Sequence, residues 1–148
     1  MKKIILILSL CLSLLGLSSI TYAAEWNWIA SNDSTTISFD KDSIRKSEDD
    51  KYFAWIKYEH TESEGAKISD DLKLAEPISY QLHRLEFDYK NESIKTQSVV
   101  IYDKNGTTLA SYTDKYSLER FEPIIPGSIG EKIFYATFAK YQNKYGKV

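Results

Sequence analysis

Residues 124–134 read IIPGSIGEKIF, and this stretch decides how the chain is built. Pro126 has no N–H to give a strand ladder, and Gly127 reaches the positive φ that a sharp corner needs. Ser128 followed three residues later by Glu131 forms a capping box. The Ser128 hydroxyl accepts the Glu131 N–H, and the Glu131 carboxylate is expected to reach back to the Ser128 N–H. Pro126, Gly127, Ser128 and Glu131 are therefore predicted to turn the chain out of an extended segment and launch a helix. Behind the cap, Ile129, Ile133, Phe134, Thr137, Phe138, Tyr141 and Tyr145 recur at helical spacing as one apolar stripe, and Gly146 closes the helix. Such a stripe is expected to lie across one face of a sheet.

The sheet is legible upstream. WNWIASNDSTTISFD predicts a hairpin of two short strands, 25–31 and 34–39, joined at Asn32-Asp33, a pair that tolerates positive φ. A helical turn over 40–45 and an exposed loop with the acidic run Glu48-Asp49-Asp50 follow. KYFAWIKYEH alternates Tyr52, Ala54, Ile56 and Tyr58 on one side with Phe53, Trp55, Lys57 and Glu59 on the other, a strand with aromatic rings on both faces. Residues 61–77 are polar and aperiodic and read as a mobile loop, with a helical turn over 70–76 as the alternative. ISYQLHRLEFDY and ESIKTQSVVIY give two more strands separated at Lys90-Asn91, and DKNG at 103–106 turns into a sixth, TTLASYT. The reading is an α+β domain over 24–148: an antiparallel β-sheet of about six strands with a C-terminal α-helix packed on one face.

Ahead of it, MKKIILILSLCLSLLGLSSITYA carries the basic start, apolar run and small-residue end of a signal peptide over 1–23, with cleavage after Ala23. The run is shorter than a spanning helix needs and is broken by Ser9 and Ser13. Cys11, the only cysteine, lies inside this run and not at its end, which argues against a lipid anchor. Cleavage would leave a disulfide-free domain and remove Lys2 and Lys3, taking the formal net charge of −2 down by two. That balance lacks the basic stripe of a nucleic-acid binder. Export to the periplasm, the cell surface or the medium is the expectation, with no stable membrane anchor.

Together, the Tyr102–Gly106 turn, EPIIPGSIGEKIF, the early WIA, FDKDSI and the Trp55 strand resemble the surface-adhesin protein E family of exported bacterial domains. The resemblance implies a six-stranded antiparallel sheet bearing a C-terminal helix. It also implies a protein partner, such as the host matrix and serum proteins laminin and vitronectin. In the family, a cysteine near the end of the fourth strand and another in the C-terminal helix tie helix to sheet. Tyr89 and Phe138 stand at those places here, which suggests that aromatic packing partly replaces the bridge, and Phe121 stands where the family often has tryptophan.

No H-E-x-x-H, C-x-x-C, phosphate-binding glycine loop or G-x-S-x-G occurs, so no catalytic residue, cofactor or metal site is predicted. His83, beside Arg84, reads as a half-exposed structural residue. His60 with Glu62 is a weak two-ligand metal candidate. Two functions remain: a non-enzymatic binding protein of adhesin type, which is favoured, or a soluble envelope enzyme, hydrolytic or metal-dependent. Because one helix covers one face, either Phe53 and Trp55 or Tyr52 and Tyr58 need another cover. These four residues are the candidate protein-contact surface, for a host protein or a second copy, unless the 61–77 loop folds over them.

Overall fold

The computed structural model describes residues 24–48, 50–113 and 120–146. The expected leader, with Cys11, lies outside the described residues. The strands are β1 Trp26–Ser31, β2 Thr35–Asp40, β3 Arg45–Lys46, β4 Lys51–His60, β5 Tyr80–Asp88, β6 Ser93–Tyr102, β7 Thr108–Tyr112 and β8 Glu122–Pro123; the helices are α1 Glu62–Leu72 and α2 Ile129–Tyr145. Six strands form an antiparallel sheet in the order β1-β2-β4-β5-β6-β7, while the two-residue β3 and β8 extend it on β4 and β6. The expected α+β architecture is the observed one. None of the described helices is long and apolar enough to cross a membrane.

Side-chain hydrogen bonds fix the corners. Asn32 Oδ1 accepts the Ser34 and Thr35 N–H groups at 3.0 and 2.7 Å and shapes the first hairpin. Asp40 caps a 3-10 turn at Lys41–Ser43 by accepting the Asp42 N–H at 2.9 Å. Asp103 Oδ1 accepts from Asn105 and Thr107 at 2.8 and 2.7 Å, and these bonds, that of Thr107 foremost, hold its carboxyl below the usual range.

The launch of α2 departs from the predicted box in one bond. Ser128 Oγ accepts the Glu131 N–H at 3.2 Å, as expected. The Glu131 carboxylate instead binds the Gly127 N–H at 2.8 Å, because the Ser128 N–H already closes a turn onto the Ile125 carbonyl at 3.1 Å. Pro126 and Gly127, the latter at φ 78°, occupy the middle of that turn, where a left-handed second residue calls for glycine.

From there α2 runs across the strands. A Cβ on Gly130 would touch Ile94 on β6, Phe134 packs on Phe87 of β5, and Lys144 Nζ donates to the Ile44 carbonyl at 2.9 Å beyond β4. Ile133, Phe134, Thr137 and Tyr141 are buried, whereas Ile129 and Tyr145 at the stripe's ends remain exposed. Tyr52 is the centre of this layer. It stacks on Phe87 at 4.8 Å and Tyr141 at 4.7 Å between ring centroids, and its hydroxyl meets Thr137 Oγ1 at 3.0 Å. Thr137 has one proton and gives it to the Ile133 carbonyl at 2.8 Å, so Tyr52 is the donor to Thr137. Burial, more than any other cause, pushes the Tyr52 phenol well above its usual range.

Tyr89 and Phe138 stack at 5.6 Å, which confirms that they are neighbours across the helix–sheet contact. Phe138 also lies within stacking range of Tyr52, Phe134 and Tyr141. An aromatic pair adds about 0.5–1.5 kcal/mol beyond area burial, whereas a small domain typically loses about 2–5 kcal/mol with a bridge.

The expected loop at 61–77 is mostly helix, and this corrects the sequence reading. Thr61 caps α1 by accepting the Glu64 N–H at 3.4 Å, in a T-x-x-E sequence at the end of β4, while its own N–H binds the Ser34 carbonyl, and Lys73 ends the helix at φ 55°. The helix docks through Gly65 on its own return segment. A Cβ there would stand 1.8 Å from the Ile78 carbonyl oxygen, and the Ser69 hydroxyl ties the Ile78 N–H at 2.8 Å.

Candidate protein-contact face

Directly paired residues of an antiparallel sheet share a face, so register sorts the candidate residues. Tyr52 pairs with Phe87, Ile56 with His83 and Tyr58 with Gln81; these side chains lie on the α2 side. Phe53 pairs with Glu86 and Arg45, Trp55 with Arg84, and Lys57 with Ser38, which pairs in turn with Trp28. Tyr52 is thus fully buried under α2 and cannot belong to a contact surface, and Tyr58 faces the same way with its phenol pushed up to about 12 by burial. Phe53 and Trp55 lie opposite.

All three tryptophans of the chain occupy that opposite face, with Trp26 and Trp28 brought in from β1 through the β2 register. Trp28 is 67% exposed; Trp26, Phe53 and Trp55 are half-buried. Cations lie over the rings: Arg84 Cζ is 4.5 Å from the Phe53 centroid and Lys57 Nζ is 4.8 Å from that of Trp26. Lys51 and Lys95 flank Phe121 at 5.9 and 5.6 Å. Arg84, in the middle of the face, is itself exposed.

Of the residues on this face, sequence reasoning named Phe53 and Trp55 and did not name Trp26, Trp28, Arg45 or Arg84. The Asn32 turn alone could not have found Trp26 and Trp28, because a bulge between Trp28 and Ala30 shifts the register beyond the turn and sets the face they take. No local pattern announces that Arg84 comes to rest on Phe53.

At the other end of the α2 side, His60 Nδ1 lies 3.0 Å from Thr35 Oγ1 and its Nε2 lies 3.3 Å from Gln81 Nε2; Gln81 Oε1 lies 3.0 Å from His83 Nε2. One proton arrangement satisfies this chain. His83 donates to the Gln81 oxygen, the Gln81 amide donates to His60, and His60 donates to Thr35, with both rings neutral. Burial, reinforced by His60, pushes His83 down to about 4, and burial lowers His60 against the pull of Glu64. Both nitrogens of His60 are engaged within the protein, which leaves Glu62 no imidazole to share. Among the described residues no three His, Cys, Asp or Glu side chains gather as a metal site.

The model of the surface-adhesin protein E family matches residues 26–137, from the first residue of β1 into the middle of α2. The chain belongs to this family. The match spans every strand of the sheet, the open face and the turn that launches α2, so the family's domain includes the whole of the aromatic surface. No curated protein matches the chain.

Proposed function

We propose that this family member is an exported, non-catalytic binding protein that presents its open sheet face to an extracellular-matrix protein of the host. One observation carries the reading: Trp26, Trp28, Phe53 and Trp55 lie together on the sheet face opposite α2, with cations stacked on two of the rings. Tryptophan and arginine are the residue types most enriched where protein contacts concentrate their energy. Membership of the adhesin family supports the same role, and the leader over 1–23 supports export.

Laminin and vitronectin, immobilised separately, provide the test. The protein should bind at least one of them, and Trp28→Ser and Trp55→Ser should weaken capture while leaving the circular dichroism spectrum unchanged. Equal capture by the wild type and both variants would overturn the assignment of the face. Mass spectrometry of culture fractions should find the chain beginning at Ala24; an intact Met1 chain held in membranes would overturn export of a released domain.

A further inference from the structure

The open face also carries an imbalance of charge. The carboxylates that strand register puts on it already have donors; Asp40, which pairs with Trp26, accepts the Asp42 N–H. Glu86 is buried and accepts from Ser47 Oγ and Gln97 Nε2, both at 2.9 Å, with Lys95 Nζ at 4.0 Å. Asp88 accepts the Lys90 and Asn91 N–H groups and the Asn91 amide, and Glu59 pairs with Lys57 at 3.1 Å. The two arginines are different. Neither Arg84 nor Arg45 has a carboxylate within ion-pair distance among the described residues. Arg84 lies on the Phe53 ring, and Arg45, the cross-strand partner of Phe53, donates only to the carbonyls of Asp42 and Ile44. A guanidinium held on a ring keeps its N–H edge turned outward and loses little freedom when it meets a carboxylate.

We propose that the segment seated on this face is an acidic stretch of polypeptide, whose carboxylates meet Arg84 and Arg45 while an apolar side chain packs between Phe53 and Trp55. The inference rests on the open face being the binding surface and adds the chemistry of what binds. A densely charged polyanion such as a sulfated polysaccharide fits less well. Glu59, Glu86 and Asp88 are interleaved with the cations and would repel a continuous line of negative charge, whereas the spaced carboxylates of a peptide can avoid them.

Two fluorescein-labelled peptides of equal length, one alternating Glu with Phe and the other Lys with Phe, serve as probes beside heparin, with binding read by anisotropy. The Glu peptide should bind and weaken with added salt, and the Lys peptide should not bind. Arg84→Gln and Arg45→Gln, at exposed positions, should each lower affinity for the Glu peptide by roughly tenfold or more; the denaturation midpoint should not move for Arg84→Gln, while Arg45→Gln also gives up its bonds to the Asp42 and Ile44 carbonyls. Equal binding of both peptides, tighter binding of heparin than of the Glu peptide, or indifference to both arginine substitutions would overturn the proposal. Capture on laminin and vitronectin separates it from the reading beneath. If the tryptophan variants lose capture and the arginine variants keep it, the face stands and the acidic partner falls. If neither set loses capture, both fall.

Discussion

Tyr52 stacks between Phe87 and Tyr141 and is fully buried, while Phe53, one residue along the same strand, lies beneath a guanidinium that stays exposed. Both sides of β4 offer aromatic rings to whatever arrives. On one side α2 arrives with Phe134, Phe138 and Tyr141, and the rings become core. On the other, the rings are topped by Arg84, whose charge stays in water, and by Lys57, whose ammonium pairs with Glu59. An aromatic residue in a strand therefore takes its role from the cover it meets, and on the open side that cover is one a partner can share.

The largest test of this contrast is Tyr52→Ala. Removing a fully buried ring and its bond to Thr137 should cost about 3–5 kcal/mol, read as a lower denaturant midpoint. A loss below about 1 kcal/mol would mean that α2 does not depend on this layer. Next is pH. An unfolded histidine takes up its proton near pH 6.5, while folded His83 resists until about 4, so the stability it contributes is present above 6.5 and is lost as pH falls between those values. The loss should reach about 3 kcal/mol at most, and His83→Leu should flatten that limb of the stability curve.

Gly65→Ala probes the docking of α1 on its return segment. The new Cβ must push the Ile78 carbonyl away, at a cost of roughly 1–3 kcal/mol, and faster amide exchange should follow in α1 with little change in α2. Trp28→Ser has the smallest expected effect on stability, within about 0.5 kcal/mol, because the ring is two-thirds exposed. The same change should weaken partner capture. If it instead unfolds the protein as Tyr52→Ala does, the open face is core and the contrast between the faces fails.

The sequence by itself determined what lies within a few residues. The Ser128 cap, the Asn32, Asp103 and Gly127 corners and the period-two strands are specified by hydrogen bonds and side-chain alternation that span at most one turn. The six-stranded sheet and its C-terminal helix were legible for that reason. The T-x-x-E cap of α1 was equally local and was missed, because the helix behind it offers only Ala66, Ile68 and Leu72 as apolar side chains and its glycine serves a contact thirteen residues away. The rest was decided only by tertiary structure. Both faces of β4 carry rings, so alternation could not say which one α2 would choose. Tyr52 rather than Phe53 became core because helix, strand order and register together place Phe87 and Tyr141 against it. Arg84 came to rest on Phe53 for the same physical reason: cross-strand neighbours are fixed by pairing between distant segments, and no local pattern in either segment encodes it.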